Sequence, residues 1–170
     1  FIKPLEVIVV FTVVKRACAK LKKHKNLIKI GIAGSYGKTT TKEFLAEILS
    51  SKYSVLKTPE NINTLLGVAR LILKELNEGY HILIVEMAAY KRDDIKKLCR
   101  MIKPEIGILT GLNTSHLERF GSLENIIKAK FELLENLFSK RKAVFLNADS
   151  QLILQNFQRF FKNKADFYGL

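Results

Sequence analysis

The run Gly34-Ser35-Tyr36-Gly37-Lys38-Thr39-Thr40-Thr41 gathers two glycines, a lysine and a row of hydroxyls, a set suited to holding phosphate. Glycines at 34 and 37 let the backbone turn tightly and aim consecutive N–H groups at an anionic oxygen. The helix that follows adds its positive N-terminal end. Lys38 would reach the outer phosphates of ATP or GTP, and the Thr39 hydroxyl, next to Thr40, would bind Mg²⁺. The longer form of such loops has a glycine five residues before Gly37, where this chain has Ile32; the match is to the shorter G-x-x-G-K-T form. An apolar stretch, Leu27–Ala33, leads into the loop and a helical pattern leaves it, the context that separates a phosphate loop from a chance surface turn.

Three further side chains could do chemistry beside it. The apolar run His81–Val85 ends in Glu86, a carboxylate that could ligate a metal or orient water, or could cap a neighbouring helix. The run Glu105–Thr110 leads into Gly111-Leu112-Asn113-Thr114-Ser115-His116, which offers an imidazole either as a ligand or as a surface residue. Lys130 falls inside the apolar stripe written by Ile126, Ile127, Leu133, Leu134, Leu137 and Phe138. A lysine placed there can snorkel to water, or it can be paired, neutralised or modified. A neutral buried amine can add carbon dioxide, and the resulting carbamate would be a metal-binding carboxylate.

The elements that position these groups follow from periodicity. Short apolar runs predict strands near 27–33, 53–57, 81–86, 105–110, 142–146 and 165–168. Amphipathic stretches predict helices near 38–51, 63–77, 93–102, 122–138 and 150–161. Such alternation predicts a three-layer α/β/α fold with a mostly parallel sheet, and it puts ligand-binding groups just after the strands. The 170 residues, 48% hydrophobic and 26% charged, suit one sizeable domain and exclude a disordered chain. Cys18 and Cys99 form no metal or redox spacing, in keeping with a reducing compartment.

The net charge of +13 is uneven, for residues 1–30 hold eight Lys or Arg against Glu6 alone. Segment 1–26 joins an apolar run, Leu5–Val14, to Lys15, Arg16, Lys20, Lys22, Lys23 and Lys25. The run is about half of what a bilayer-spanning helix needs. The pattern fits a membrane-proximal helix with a positive flank, or an amphipathic helix packed on the domain. No aromatics are interleaved with the charges, which argues against nucleic acid as a partner.

Six blocks in order resemble the Mur ligases: Gly34–Glu43, Asn61-Ile62-Asn63-Thr64-Leu65-Leu66-Gly67, Val85-Glu86-Met87, Lys103-Pro104-Glu105-Ile106-Gly107, His116–Ser122 and Ala129-Lys130-Phe131-Glu132. Their wording is nearest to the MurF type, whose central ATP-binding domain residues 27–170 resemble, with the C-terminal side cut short. The resemblance implies a cytoplasmic, monomeric ligase of peptidoglycan precursor synthesis, at the inner face of the membrane if segment 1–26 anchors it. ATP would phosphorylate a UDP-muramyl-peptide-like carboxylate, and an amino acid or dipeptide amine would displace phosphate from the acyl phosphate.

Carried over by position, Lys38 would stabilise the γ-phosphate, and Thr39, Glu86, His116 and a carbamylated Lys130 would hold Mg²⁺. Asn63 would lie near the γ-phosphate and metal, while Asn61 could simply shape the turn. The chain departs from the family wording at Ala88 and at Asp93, which puts the loop after Glu86 in question. The chain alone is expected to bind nucleotide weakly and not to ligate. A stand-alone phosphate-loop ATPase or kinase would share Lys38 and Thr39 without needing His116 or Lys130; a folylpolyglutamate synthase-like ligase would share the chemistry.

Overall fold

The structure, a computed structural model, describes residues 4–115, 117–161 and 165–170, with side chains from residue 7 onward. Helix α1 (Pro4–Lys23) leads to β1 (Ile28–Ala33), α2 (Lys38–Ser50), β2 (Val55–Lys57), α3 (Leu65–Glu75), β3 (Ile82–Glu86) and α4 (Asp94–Ile102). There follow β4 (Ile106–Leu109), α5 (Leu117–Phe120), α6 (Leu123–Phe138), β5 (Ala143–Asn147), α7 (Gln151–Phe160) and β6 (Asp166–Tyr168). The strands form one sheet in the order β2-β3-β1-β4-β5-β6. Every neighbouring pair is parallel, so all strands deliver their carboxyl ends to one edge.

Alternation along the strands sorts side chains to two faces. Ile30, Ile32, Ile82, Ile84 and Ile108 meet Ala46, Leu45 and Leu49 of α2. Ala33, Leu83, Val85, Leu109 and Leu146 face the opposite way, into a larger core built with α1, α3, α4, α6 and α7. Helices therefore cover both faces, as the sequence pattern predicts. The predicted strands and helices between 27 and 168 all form, with ends displaced by a residue or two; the short α5 is additional.

Two glycines set the depth of α6. Gly31 and Gly107 are directly paired between β1 and β4. A Cβ on Gly107 would run into Leu137 Cδ1, and one on Gly31 would stand 3.2 Å from Leu133 Cδ1. Bare backbone at these two positions lets α6 lie close to the sheet. Phe131 fixes the outer side of α6, meeting Phe160 edge-on at 5.7 Å between ring centres, a geometry that adds to its area burial.

Helix α1 packs through its second half. Ala17 and Leu21 are buried, and Lys20 Nζ donates to the Leu73 carbonyl of α3 at 2.8 Å. Its end lies at the amino edge of the sheet, where Lys22, Lys25, Lys29 and Lys103 line one recess. Its beginning lies at the carboxyl edge, where Val10 shares a recess of about 300 Å³ with Thr64, Ala88, Tyr90 and Lys91. Val7, Ile8 and Phe11 are exposed there, Phe11 at 67%. Among the described residues, no helix is long and apolar enough to cross a membrane.

The close approach of α6 gives a testable consequence. A Gly107→Val side chain has no space between the sheet and Leu133 and Leu137, so the variant should lose about 1–3 kcal/mol of stability. A shifted denaturant midpoint with an unchanged slope would record it.

Candidate functional site

At the carboxyl edge, the loop Gly34–Gly37 joins the central strand β1 to α2. Gly34 has φ 151° and Gly37, the residue preceding α2, has φ 77°, both in the range that favours glycine. The loop is clamped to the end of β4. Ser35 N–H donates to the Gly111 carbonyl at 2.7 Å. The Thr110 hydroxyl lies 2.5 Å from the Tyr36 carbonyl and 3.3 Å from that of Ala33. Any Cβ on Gly34 would collide with that hydroxyl, and one on Gly111 would enter the Tyr36 ring. Asn147, closing β5, braces the arrangement by donating to the Thr110 carbonyl at 2.7 Å.

Glu86 ends β3 opposite Ile32 of β1 and is 4% exposed. Its Oε2 accepts the Thr39 hydroxyl at 2.8 Å and its Oε1 accepts Asn63 Nδ2 at 3.2 Å. Its own N–H donates to the Thr58 hydroxyl at 3.0 Å. The structure thus brings Thr39, Asn63 and Glu86 into one hydrogen-bonded cluster beneath the loop. Helix capping by Glu86, the alternative open from sequence, is not what it does. Asn61 instead has φ 67° and is exposed, so it shapes the turn ahead of α3, whose first turn is capped by Thr64 accepting from Gly67 N–H.

Lys38 leans over its own loop, Nζ 3.5 Å from the Ser35 carbonyl. Burial lowers its pKa, partly opposed by the charge of Glu86. Lys130, on α6, is 4% exposed, so it does not snorkel. Burial, reinforced by the charge of Lys38 and opposed by Asp94 and Glu132, lowers its pKa to about 8. Lys38 and Lys130 therefore sense each other across the site. Ser35, Tyr36 and Thr40 sit in the loop and at the start of α2, with Tyr36 and Thr40 exposed. His116 lies outside the described residues.

The sequence reading left Glu132 without a task. Buried at 4% exposure, its carboxylate accepts Asp93 N–H at 2.7 Å and Lys96 N–H at 2.9 Å. It caps α4 from another helix, where the preceding residue, Asp93, makes no side-chain cap of its own and has φ 68°. Burial raises the Glu132 pKa against the pull of those two hydrogen bonds. This bridge ties the loop after Glu86 to α6 and hence to Lys130. Periodicity could not have revealed it, since the partner donors are backbone groups far along the chain. Thr110 and Lys42 likewise turn their side chains inward, toward other elements.

A nucleotide and a divalent cation fit this donor set. Among the described residues, no three His, Cys, Asp or Glu side chains converge; the adjoining oxygens of Thr39 and Glu86 are donors of the kind a hard cation takes beside a phosphate. Among the described residues, the buried Ser35 hydroxyl oxygen, beside the amides of the loop, has no hydrogen-bond partner.

Residues 32–169 match the Mur ligase middle domain. The UDP-N-acetylmuramoyl-tripeptide–D-alanyl-D-alanine ligase of Synechocystis is 42% identical over 141 residues, covering 83% of this chain and 31% of the relative. The MurF ligase of Thermotoga maritima, solved in complex with ADP, superimposes with a TM-score of 0.81 at 34% identity, over 93% of this chain and 35% of that one. MurF of Acinetobacter baumannii shares the fold, with a TM-score of 0.85 at 24% identity over 94% and 35%. The chain spans about a third of the length of each of these proteins. With most of its residues matched to that domain and its similar relatives of the MurF type, the chain belongs to the Mur ligase family.

Proposed function

We propose that this chain is the ATP-binding, phosphoryl-transfer part of a MurF-type ligase that forms an amide bond in peptidoglycan precursor synthesis. The observation that carries the reading is the cluster of Thr39, Asn63 and Glu86 beneath the glycine loop, with Lys130 buried in electrostatic reach of Lys38. A plain phosphate-loop ATPase or kinase has no use for that buried lysine.

In this reading the loop amides, Ser35 and Lys38 bind and align the phosphates of ATP. Lys38 offsets the charge on the γ-phosphoryl group as it passes to a UDP-muramyl-peptide-like carboxylate. The amine of an amino acid or dipeptide then attacks the acyl phosphate and releases phosphate. Bound Mg²⁺ would neutralise phosphate charge, held by Thr39, Glu86, His116 and a carbamylated Lys130. Positioning and charge neutralisation are what phosphoryl transfer requires from a protein. The ligase works as a monomer on the cytoplasmic side of the membrane.

Calorimetric titration with ATP and Mg²⁺ tests the first step. Lys38→Ala should weaken binding at least about tenfold, roughly 1.4 kcal/mol, whereas equal binding by both proteins would remove the phosphate role. In a full-length ligase containing this domain, ADP release should require a muramyl-peptide acceptor and should vanish with Glu86→Ala. Turnover without acceptor would favour the plain ATPase.

Carbamylation adds the lone pair of neutral Lys130 to the carbon of CO₂, and one proton leaves the nitrogen. Because the folded pKa is lowered to about 8, the neutral amine grows as pH rises through that value. Incubation with ¹³C-bicarbonate should give a carbamate carbon signal that strengthens over the same interval and is missing in Lys130→Met. A signal unaffected by that substitution would place the carbamate elsewhere.

The apolar start of α1 supports a membrane-proximal position. Val7, Ile8 and Phe11 are exposed, with Lys15, Arg16 and Lys91 also exposed nearby on the chain and the rim, a combination suited to an anionic lipid surface. Vesicles containing phosphatidylglycerol should co-sediment the protein, and replacing Val7, Ile8 and Phe11 by Ser should abolish this. Co-sedimentation that survives the triple change would rule out the apolar contact.

A further inference from the structure

Lys42 stands one turn into α2, past the residues assigned to phosphate. Its side chain is fully buried, with 0% exposure. Its Nζ finds no well-directed hydrogen bond among the described residues. It lies 3.6 Å from Oε2 of Glu86, whose side chain is 5% exposed, and 3.3 Å from Oε1 of Glu43, whose side chain is 45% exposed. Glu43 is engaged by a second cation, Lys57, at the end of β2.

An ammonium held out of water without good hydrogen bonds is costly unless a charge close by compensates it. Glu43 sits in solvent and shares Lys57, so its pull on Lys42 is screened. Glu86 is buried, and there the attraction keeps much more of its strength. Thr39 and Lys42, three residues apart, share one face of α2. From that face the Thr39 hydroxyl donates to Oε2 at 2.8 Å and the Lys42 ammonium stands behind the same oxygen. Asn63 holds the other oxygen, Oε1, from α3's approach. The carboxylate is thus fixed at both oxygens, with its charge balanced from the protein side.

We propose that Lys42 is a positioning residue for the nucleotide–metal site: it holds the Glu86 carboxylate in the orientation that serves Mg²⁺, and does not itself touch nucleotide. The proposal rests on the reading of Glu86 given above. Partners that orient a ligand from behind typically change metal affinity by about 10–100-fold when removed, and Lys42 should fall in that range.

The experiment measures ADP affinity by calorimetry with Mg²⁺ and with EDTA, so that the gain from Mg²⁺ is read separately from ADP binding itself. Lys42→Met, which keeps the apolar stem, should lose about tenfold or more of that gain while binding ADP in EDTA within about twofold of the parent. Glu43→Gln should leave the gain unchanged. Should Lys42→Met fail to fold, the comparison moves to Glu86→Gln with and without Lys42→Met. Once the carboxylate charge is gone, the second change should alter the Mg²⁺ gain no further. A Lys42→Met protein with the parent's Mg²⁺ gain, or an equal loss in the Glu86→Gln background, would overturn the positioning role and leave the nucleotide reading standing. A parent protein that binds no ADP would overturn both.

Discussion

The cluster beneath the phosphate loop depends on holding one carboxylate inside the protein. Glu86 ends a strand buried along its whole length, and its charge would be ruinous there without compensation. The Thr39 hydroxyl, the Asn63 amide and the Lys42 ammonium supply that compensation from two helical approaches. Their convergence requires α2 and α3 to start where they do. The start of α2 is set by Gly37 and that of α3 by Thr64. Local turn chemistry and a buried carboxylate therefore constrain each other.

A second constraint links the far side of the site. Glu132 of α6 terminates the free N–H groups of α4, two positions along from Lys130. Helix starts leave backbone donors without intrahelical partners, and two of those at α4 are satisfied from α6, so the two helices hold each other in place. The depth of α6 is in turn fixed by Gly31 and Gly107. Through this chain of contacts, two bare positions in the sheet determine where a buried lysine sits relative to the phosphate loop.

Much of the architecture was legible in the residues. Strands such as Ile82–Glu86 announce themselves as apolar runs closing on a polar residue, and the glycine–lysine–threonine loop carries its own geometry. Glu86 and Lys130 were legible because each breaks an apolar pattern. Lys42 was not, for a lysine in the polar-looking run Lys38–Glu43 reads as solvated until α2 is laid on β3. Nor was Glu132, whose partners are backbone amides distant in sequence. Thr110 escaped for the same reason, since its value lies in touching Tyr36 and Ala33. Pattern reveals what a residue does to its own element; these three act on another.

Helix α1 ends at the amino edge and begins at the carboxyl edge, so its exposed apolar tip shares a rim with the loop following Glu86. If that tip rests on a lipid surface, the mouth of the site faces the plane of the bilayer instead of open solution. Encounter with any reactant confined to that plane becomes a search in two dimensions, and the orientation of the domain is settled before the reactant arrives. A few exposed apolar side chains would then govern how often the site meets its substrate, without altering any residue that handles phosphate.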